Sequence, residues 1–365
     1  MNLQAIDAFA GPGGWDLALE KLGISPLGVE WDEAACATRE AAGLRTLQAD
    51  VAELNPHDVA YHEFGDDAEL IDLFIASPPC PTYSSAGNGG GHHLTEIVVR
   101  CLHDLAAGND TRGLRRAQAL DVLKPIYREA EQKKAAKKKR EPDLKKATAR
   151  ARRDADMSLL VVEPLRWVLA LEPRFVALEQ VPEVLPLWSV MAEILGALGY
   201  NTWTGVLYAE QFGVPQTRKR AILMADREAA VRPPRLTHQR YVSPPKEGED
   251  APPGLFEAPR AARRVRPEDR DLLPWVSMAE ALGWTHTIVN TRGDRKSEGG
   301  NEFSADQPSW ALTEKTRSWT IQTNQRPGGS DDYLQRRVDR PSPALVGNSR
   351  VGSGPTTGGR ARQPV

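Results

Sequence analysis

The stretch LQAIDAFAGPGGWDLALEKLG, residues 3–23, decides how this chain is read. An apolar run, LQAIDAF, gives way to a glycine turn and then to WDLALEKLG, whose apolar spacing suits a helix closed by Gly23. A turn of this kind, after a first strand and before a first helix, lets a ligand approach bare backbone. Two acids follow at strand ends. Glu30 closes SPLGVEWD nineteen residues after Gly11, where a carboxylate can accept ribose hydroxyls. Asp50 closes LQAD, where it can accept from the exocyclic amine of an adenine, and Trp31 offers that base a flat face. Pro12 and Trp15 interrupt the G-x-G-x-x-G phosphate pattern, so an adenosine without a pyrophosphate is the better fit.

Working outward, apolar runs alternate with helical patterns as far as about residue 228. SPLGVEWD, LRTLQADV, ELIDLFIAS, RFVALEQV, YNTWTGVLYAE and RKRAILMAD read as strands, DEAACATREAAG and LWSVMAEILGALG as helices. That pitch predicts an α/β fold with a mostly parallel sheet and helices on both faces. A long interruption, about 100–156 in its helical part, holds thirteen Lys or Arg against four acids between residues 124 and 153. It reads as an exposed charged helical insert, broken near Pro142, or as an arm that contacts DNA phosphates. After 228 the chain turns Pro-rich and then into short Trp- and Thr-bearing runs. We expect residues 1–228 to form a catalytic and cofactor-binding domain, 229–350 a smaller β-rich domain, and 351–365 a disordered tail.

IDLFIASPPCPTYSSAG, residues 71–87, places Cys80 just past a strand, at the edge where open α/β sheets meet ligands. Pro78, Pro79 and Pro81 restrict the backbone around it, which suits a nucleophile whose attack angle matters. SSAGNGGGHH, directly after, has the composition of a loop that closes over substrate. Glu179, in FVALEQV, ends another strand and can share the crevice with Cys80. A thiolate and a carboxylic acid in one site suit covalent addition to an electron-poor ring. Gln216, Arg218 and Arg220 alternate along GVPQTRKRAILMA and so share a face, able to hold a carboxylate, sugar or phosphate.

Bulk properties narrow the classes. Cys36, Cys80 and Cys101 lack the spacing of a disulfide framework or a zinc site, so no metal is expected and a reducing cytoplasm is. The formal charge of −2 carries no global positive field, so any nucleic-acid surface is local. Neither a signal-peptide pattern nor an apolar run of membrane-spanning length is present in the sequence.

Taken in order, DAFAGPGG, EWD, ADV, SPPCP, LEQV and QTRKR resemble the motif series of the DNA cytosine-5 methyltransferases, over residues 7 to about 225. The resemblance implies a Rossmann-like methyltransferase fold and a smaller target-recognition domain. It implies S-adenosyl-L-methionine held by Phe9, Gly11, Gly13 and Gly14, with Glu30 on the ribose, Trp31 and Asp50 at the adenine and Pro79 lining the pocket. It also implies catalysis by Cys80, adding to C6 of a flipped-out cytosine, with Glu179 at N3 and Arg218 orienting Glu179. Implied partners are double-stranded DNA and a cognate restriction endonuclease. The chain departs from the family at Gln180, where Glu-Asn-Val is usual. Of the family's closing Gly-Asn-Ala-Val-Pro-Pro segment only Gly347-Asn348 is legible, which the resemblance reads as truncation, as a complementing polypeptide or as weakened activity. The alternatives are a non-catalytic DNA-binding subunit and the RNA-methylating branch of the same family.

Overall fold

The computed structural model describes residues 3–65, 71–79, 83, 93–242, 265–283, 287–290, 302–304, 307–310 and 320–323. A seven-stranded sheet carries the molecule: β1 (Ala5–Ala8), β2 (Leu27–Glu30), β3 (Thr46–Gln48), β4 (Leu73–Ala76), β5 (Phe175–Gln180), β6 (Asn201–Tyr208) and, after a two-residue strand β7 (Gln216–Thr217), β8 (Lys219–Asp226). Their order is β3-β2-β1-β4-β5-β8-β6. The first five are mutually parallel, whereas β8 runs antiparallel to both of its neighbours. The sheet is therefore mostly parallel, as expected, with one reversed strand near its edge. Every residue of β1 and β2 is buried, because helices cover both faces.

Strand order reverses between β1 and β4. Loops that leave the carboxyl ends there diverge in opposite directions and open a crevice, the usual ligand position in such sheets. The glycine turn after β1 and the SPP segment after β4 both face that opening in sequence. Helix α1 (Gly14–Glu20) follows the first turn, α2 (Glu33–Ala41) follows β2 and α3 (Pro56–Phe64) follows β3. Asp32 caps α2 by accepting from the Ala35 amide, which explains why EWD is both a strand end and a helix start.

Between β4 and β5 the described residues form the α-helices α4 (Thr95–Ala106), α5 (Arg112–Lys137), α6 (Leu144–Leu159) and α7 (Glu163–Leu171). Helix α4, which the sequence partly assigned to the insert, belongs to the layer over the sheet. It buries Val98, Cys101, Leu102 and Leu105 and packs on α8 (Leu185–Ala197). The charged segment forms a hairpin of α5 and α6, with Pro142 in the connection. Small side chains, Ala119 of α5 and Ala147, Ala151 and Ala155 of α6, let the two helices approach. The Tyr127 hydroxyl donates to Asp154 at 2.6 Å across them.

In the C-terminal third, β9 (Thr287–Asn290), β10 (Glu302–Ser304) and β12 (Thr320–Thr323) form an antiparallel sheet in the order β10-β9-β12. Strand β11 (Ser309–Trp310) pairs with β7. The short α9 (Met278–Leu282) is held by a capping box between Ser277 and Glu280. Cys80, almost all of the glycine loop after it, Gly347-Asn348 and the expected tail at 351–365 lie outside the described residues. Among the described residues no helix is long and apolar enough to cross a membrane, and no His, Cys, Asp and Glu cluster could hold a metal.

Candidate functional site

The glycine turn is built by hydrogen bonds that leave part of its backbone facing outward. Phe9 and Gly11 take positive φ values of 58° and 55°, an uncommon conformation for Phe. The Ala10 amide donates to Val29 O at 3.1 Å, joining the turn to β2. Gly13 has no substitute: at φ 98° a Cβ would lie 2.2 Å from Leu44 Cδ1. Gly14 begins α1 and carries no such constraint.

Glu30 is buried, and its carboxylate organises the crevice. Oε2 accepts from the Gly11 amide and Oε1 from the amides of Trp31 and Asp32, each at 2.8 Å. A carboxylate that accepts three N–H bonds is held in one orientation, and Oε2 retains a lone pair for a ligand hydroxyl. Asp50 accepts from the Ala52 amide at 2.9 Å through Oδ1. Trp31 is 63 % exposed, an unusual state for so large an apolar surface.

Phe9, Glu30, Trp31, Asp50 and Pro79 line one cavity of about 910 Å³, near the upper end of the roughly 300–1,000 Å³ of small-molecule sites. The structure thus brings together five of the eight residues assigned to a cofactor, and Gly11 joins them through its bond to Glu30. Glu179 and Arg218 are not among its lining residues. The opposite wall is unexpected, because helices α5 and α6 supply it.

Sequence reasoning passed over several supports of this site. Arg39 of α2 and Asp16 of α1 form a fully buried, two-pronged ion pair at 2.6 and 2.9 Å. A Cβ at Gly28 of β2 would lie 1.8 Å from the Arg39 guanidinium, so that glycine makes room for it. Beside the pair lies Asp7, wholly buried; burial first, and then the Asp16 charge, push its pKa well above the carboxylate range. The loop after Asp50 is clamped by Arg166, which donates to Val51 O at 2.7 Å and Leu54 O at 2.9 Å. Glu163, fully buried, holds both Arg166 and Arg112 in place. Charged residues in Ala-rich helical sequence look like solvent-facing residues, so only Asp16, inside the motif, carried a usable signal.

At the end of β5 a second cluster forms. Arg220 Nε lies 2.5 Å from Glu179 Oε1, and Arg218 lies 3.6 Å from the same oxygen. Both arginines reach one carboxylate, as their alternate positions require. The nearer partner is Arg220, not the Arg218 assigned from resemblance. Burial, and then the adjacent Arg220 charge, lower the pKa of Arg218, while Glu179 opposes the shift. Gln180 next to them is buried and bridges two segments: its Nε2 donates to Pro78 O, and its Oε1 accepts from the Val181 amide. Trp15 Nε1 donates to Ser77 Oγ at 3.0 Å, tying α1 to the same SPP segment. The backbone leading to Cys80 is therefore held from both sides.

Cys36 and Cys101 are buried in the core. Burial raises the Cys36 thiol and pushes Cys101 up to about 11, so neither presents a thiolate at neutral pH.

A cleft of small-molecule size at the switch point of an open α/β sheet, with a carboxylate–arginine cluster at the end of a neighbouring strand, is the arrangement of a ligand-binding α/β fold. The profile of the C-5 cytosine-specific DNA methylases matches residues 3–99 and 143–337, more than half of the chain, and the chain belongs to that family. It is 24% identical over 298 residues to a protein of Oceanobacillus iheyensis that carries the name of a type II methyltransferase. That alignment covers 77% of this chain and 53% of the relative, so the chain spans about half the length of the curated relative it matches. Among solved structures, the Dnmt2 methyltransferase of S. pombe aligns at 14% identity and a TM-score of 0.38, over 64% of this chain and 52% of that one. The methyltransferase EhMeth of Entamoeba histolytica aligns at 13% and 0.39, over 65% and 56%.

Proposed function

We propose that this protein is an S-adenosyl-L-methionine-dependent DNA cytosine-5 methyltransferase that works through a transient Cys80–C6 bond. Bound in the cleft, the cofactor would supply an electrophilic methyl group. The observation that carries the reading is the convergence of Phe9, Glu30, Trp31, Asp50 and Pro79 on one cavity, with Pro79 adjoining Cys80 in the chain. These residues fit the group: Glu30 keeps an acceptor for a ribose hydroxyl, Asp50 an acceptor for an adenine amine and Trp31 an open face for the base.

The chain's own groups then divide the chemistry. The Cys80 thiolate attacks C6 of the cytosine while Glu179 delivers a proton to N3, so that electron density reaches C5. After C5 is methylated, its proton passes to solvent, the Cys80 thiolate leaves C6 and the N3 proton returns to the Glu179 carboxylate, which restores the ring. Arg220 and Arg218 hold the Glu179 carboxyl, and Gln180 fixes the backbone that leads to Cys80. Two buried thiols with raised pKa values leave Cys80 as the candidate nucleophile. A base inside a duplex is out of reach of such groups, so the substrate is a flipped-out cytosine in double-stranded DNA.

On this reading residues 1–228 are the catalytic domain, 229–350 read the target sequence, and a cognate restriction endonuclease is the natural functional partner. The test is transfer of label from methyl-labelled S-adenosylmethionine to a mixed pool of duplex DNA. Wild type should label cytosine C5 and Cys80→Ala should not. No label on DNA from wild type, or label on tRNA alone, overturns the proposal.

A further inference from the structure

The wall of the cleft facing the adenosine residues is cationic. Arg116, Lys124 and Arg128 of α5 and Lys145, Arg152 and Arg153 of α6 line the same cavity as Glu30 and Asp50. On α5 these positions recur at multiples of four, and on α6 at seven and eight, so each helix presents a basic stripe to one opening. Only Asp156 opposes them from the hairpin's own share of the lining. Arg153 has Asp154 at 3.4 Å. Among the described residues no carboxylate lies within ion-pair distance of Arg116, Lys124, Arg128, Lys145 or Arg152. The Nε of Arg116 is buried with no hydrogen-bond partner, a costly state for a guanidinium nitrogen.

The two helices of the hairpin stand differently towards the family match: α6 lies within it. The family match breaks between residues 99 and 143, so α5 lies wholly outside it. The basic wall is built on the α5–α6 packing and on the Arg112–Glu163–Arg166 anchor at its base.

We propose that the α5–α6 hairpin is a DNA-backbone rim, which grips the phosphates of the duplex along the edge of the cofactor cleft. This rests on the methyltransferase reading only in naming DNA as the polyanion. Length decides between a polymer and a single small anion. From Arg116 to Arg128 the helix rises about 18 Å at about 1.5 Å per residue. One DNA strand presents a phosphate about every 3.4 Å along the axis, so this stripe spans about five of them. A lone phosphate would be surrounded by two or three of these cations and leave the others without a partner. An extended chain of charges engages both stripes at once.

The test is fluorescence anisotropy with a labelled 30-base-pair duplex of mixed sequence, titrated across a range of salt. Wild type is compared with Lys124→Gln/Arg128→Gln/Arg152→Gln and with a control that loses the same charge away from the cavity, Lys134→Gln/Lys137→Gln/Lys138→Gln. Circular dichroism verifies that each variant is folded. The rim triple should weaken binding to all sequences and reduce the slope of log K against log salt by about three, one per lost phosphate contact. The control should move it much less. Equal slopes for wild type and rim variant overturn the proposal, as does an equal effect in both triples. Tripolyphosphate that competes with wild-type DNA binding only at high concentration agrees with a polymer site. Tight tripolyphosphate binding lost in the rim variant, with the DNA slope unchanged, assigns the wall to a small anion instead and also overturns the proposal. Methyl transfer is measured on the same samples. A wild type that methylates DNA while the rim variant keeps its slope defeats the rim alone. A wild type that transfers no methyl group while the slope still falls defeats the enzymatic reading alone.

Discussion

Arg220 Nε sits 2.5 Å from Glu179 Oε1, within charge-assisted hydrogen-bond distance, whereas Arg218 stops at 3.6 Å from the same oxygen. On the proposed mechanism the nearer arginine positions the acid. Arg220→Ala should lower kcat about 10- to 100-fold, the equivalent of the roughly 1.5–3 kcal/mol of a hydrogen bond to a charged group. KM for DNA should change less, and Arg220→Lys should restore part of the rate. Arg218→Ala should be the milder change. Single-turnover methylation decides, and a larger loss at Arg218 would reverse the assignment.

Gln180 ties the acid strand to the segment that carries the nucleophile, through Pro78 O and the Val181 amide. Gln180→Leu leaves both backbone groups without their partner at about 1–3 kcal/mol each. Methyl transfer should fall at least tenfold while cofactor affinity, read by calorimetry, stays within a few-fold. Gln180→Asn keeps both functional groups and should retain more activity than Gln180→Leu. Equal activities for the two variants would show that the bridge does nothing.

Arg39, Asp16 and Gly28 form one structural unit beneath the glycine turn. Arg39→Ala strands a buried carboxylate and should cost about 3–5 kcal/mol in urea unfolding. Gly28→Ala forces the guanidinium to move and should also destabilise. A double-mutant cycle should be non-additive, since Gly28→Ala has little left to displace once Arg39 is gone. Additive losses would mean that the two act separately.

Asp7 gives stability a pH dependence of definite sign. Its folded pKa lies above its unfolded value near 3.9, so the folded state binds the extra proton above about pH 4, and stability falls as pH rises through that window. Asp7→Asn mimics the protonated form and abolishes this fall. The Tm of the variant should match wild type near pH 4 and exceed it increasingly towards pH 8. A constant Tm difference across that range would remove the titration from the explanation.

Residues 3–23 made the fold legible because β1 is apolar and short, and because the turn residues that follow it have few other uses. The seven strands of the main sheet and helices α1, α2 and α8 followed from the same alternation up to Asp226, whereas α3 and α7 were not singled out. The reversal of β8 was not legible, since a strand buried among neighbours has one composition whichever way it runs. Glu30 and Asp50 stood out because they end strands, and both line the cleft. Arg39, Arg166 and Glu163 did not, because a buried ion pair and a solvated one are written in the same letters. The basic hairpin shows the same limit: charge and helical spacing were plain, but which way its stripes face depends on how α5 and α6 pack, and only the structure shows that wall against the cofactor residues.

The central claim is a transient bond between Cys80 and a cytosine ring. A pool of duplexes that carry 5-fluorocytosine in every sequence context, incubated with the protein and S-adenosylmethionine, tests it most directly, because fluorine at C5 prevents the step that releases the enzyme. Wild type should give a protein–DNA adduct that survives denaturation, with the DNA mapped to Cys80, and Cys80→Ser should give none. Absence of an adduct with wild type, or an adduct that persists in Cys80→Ser, would contradict the account.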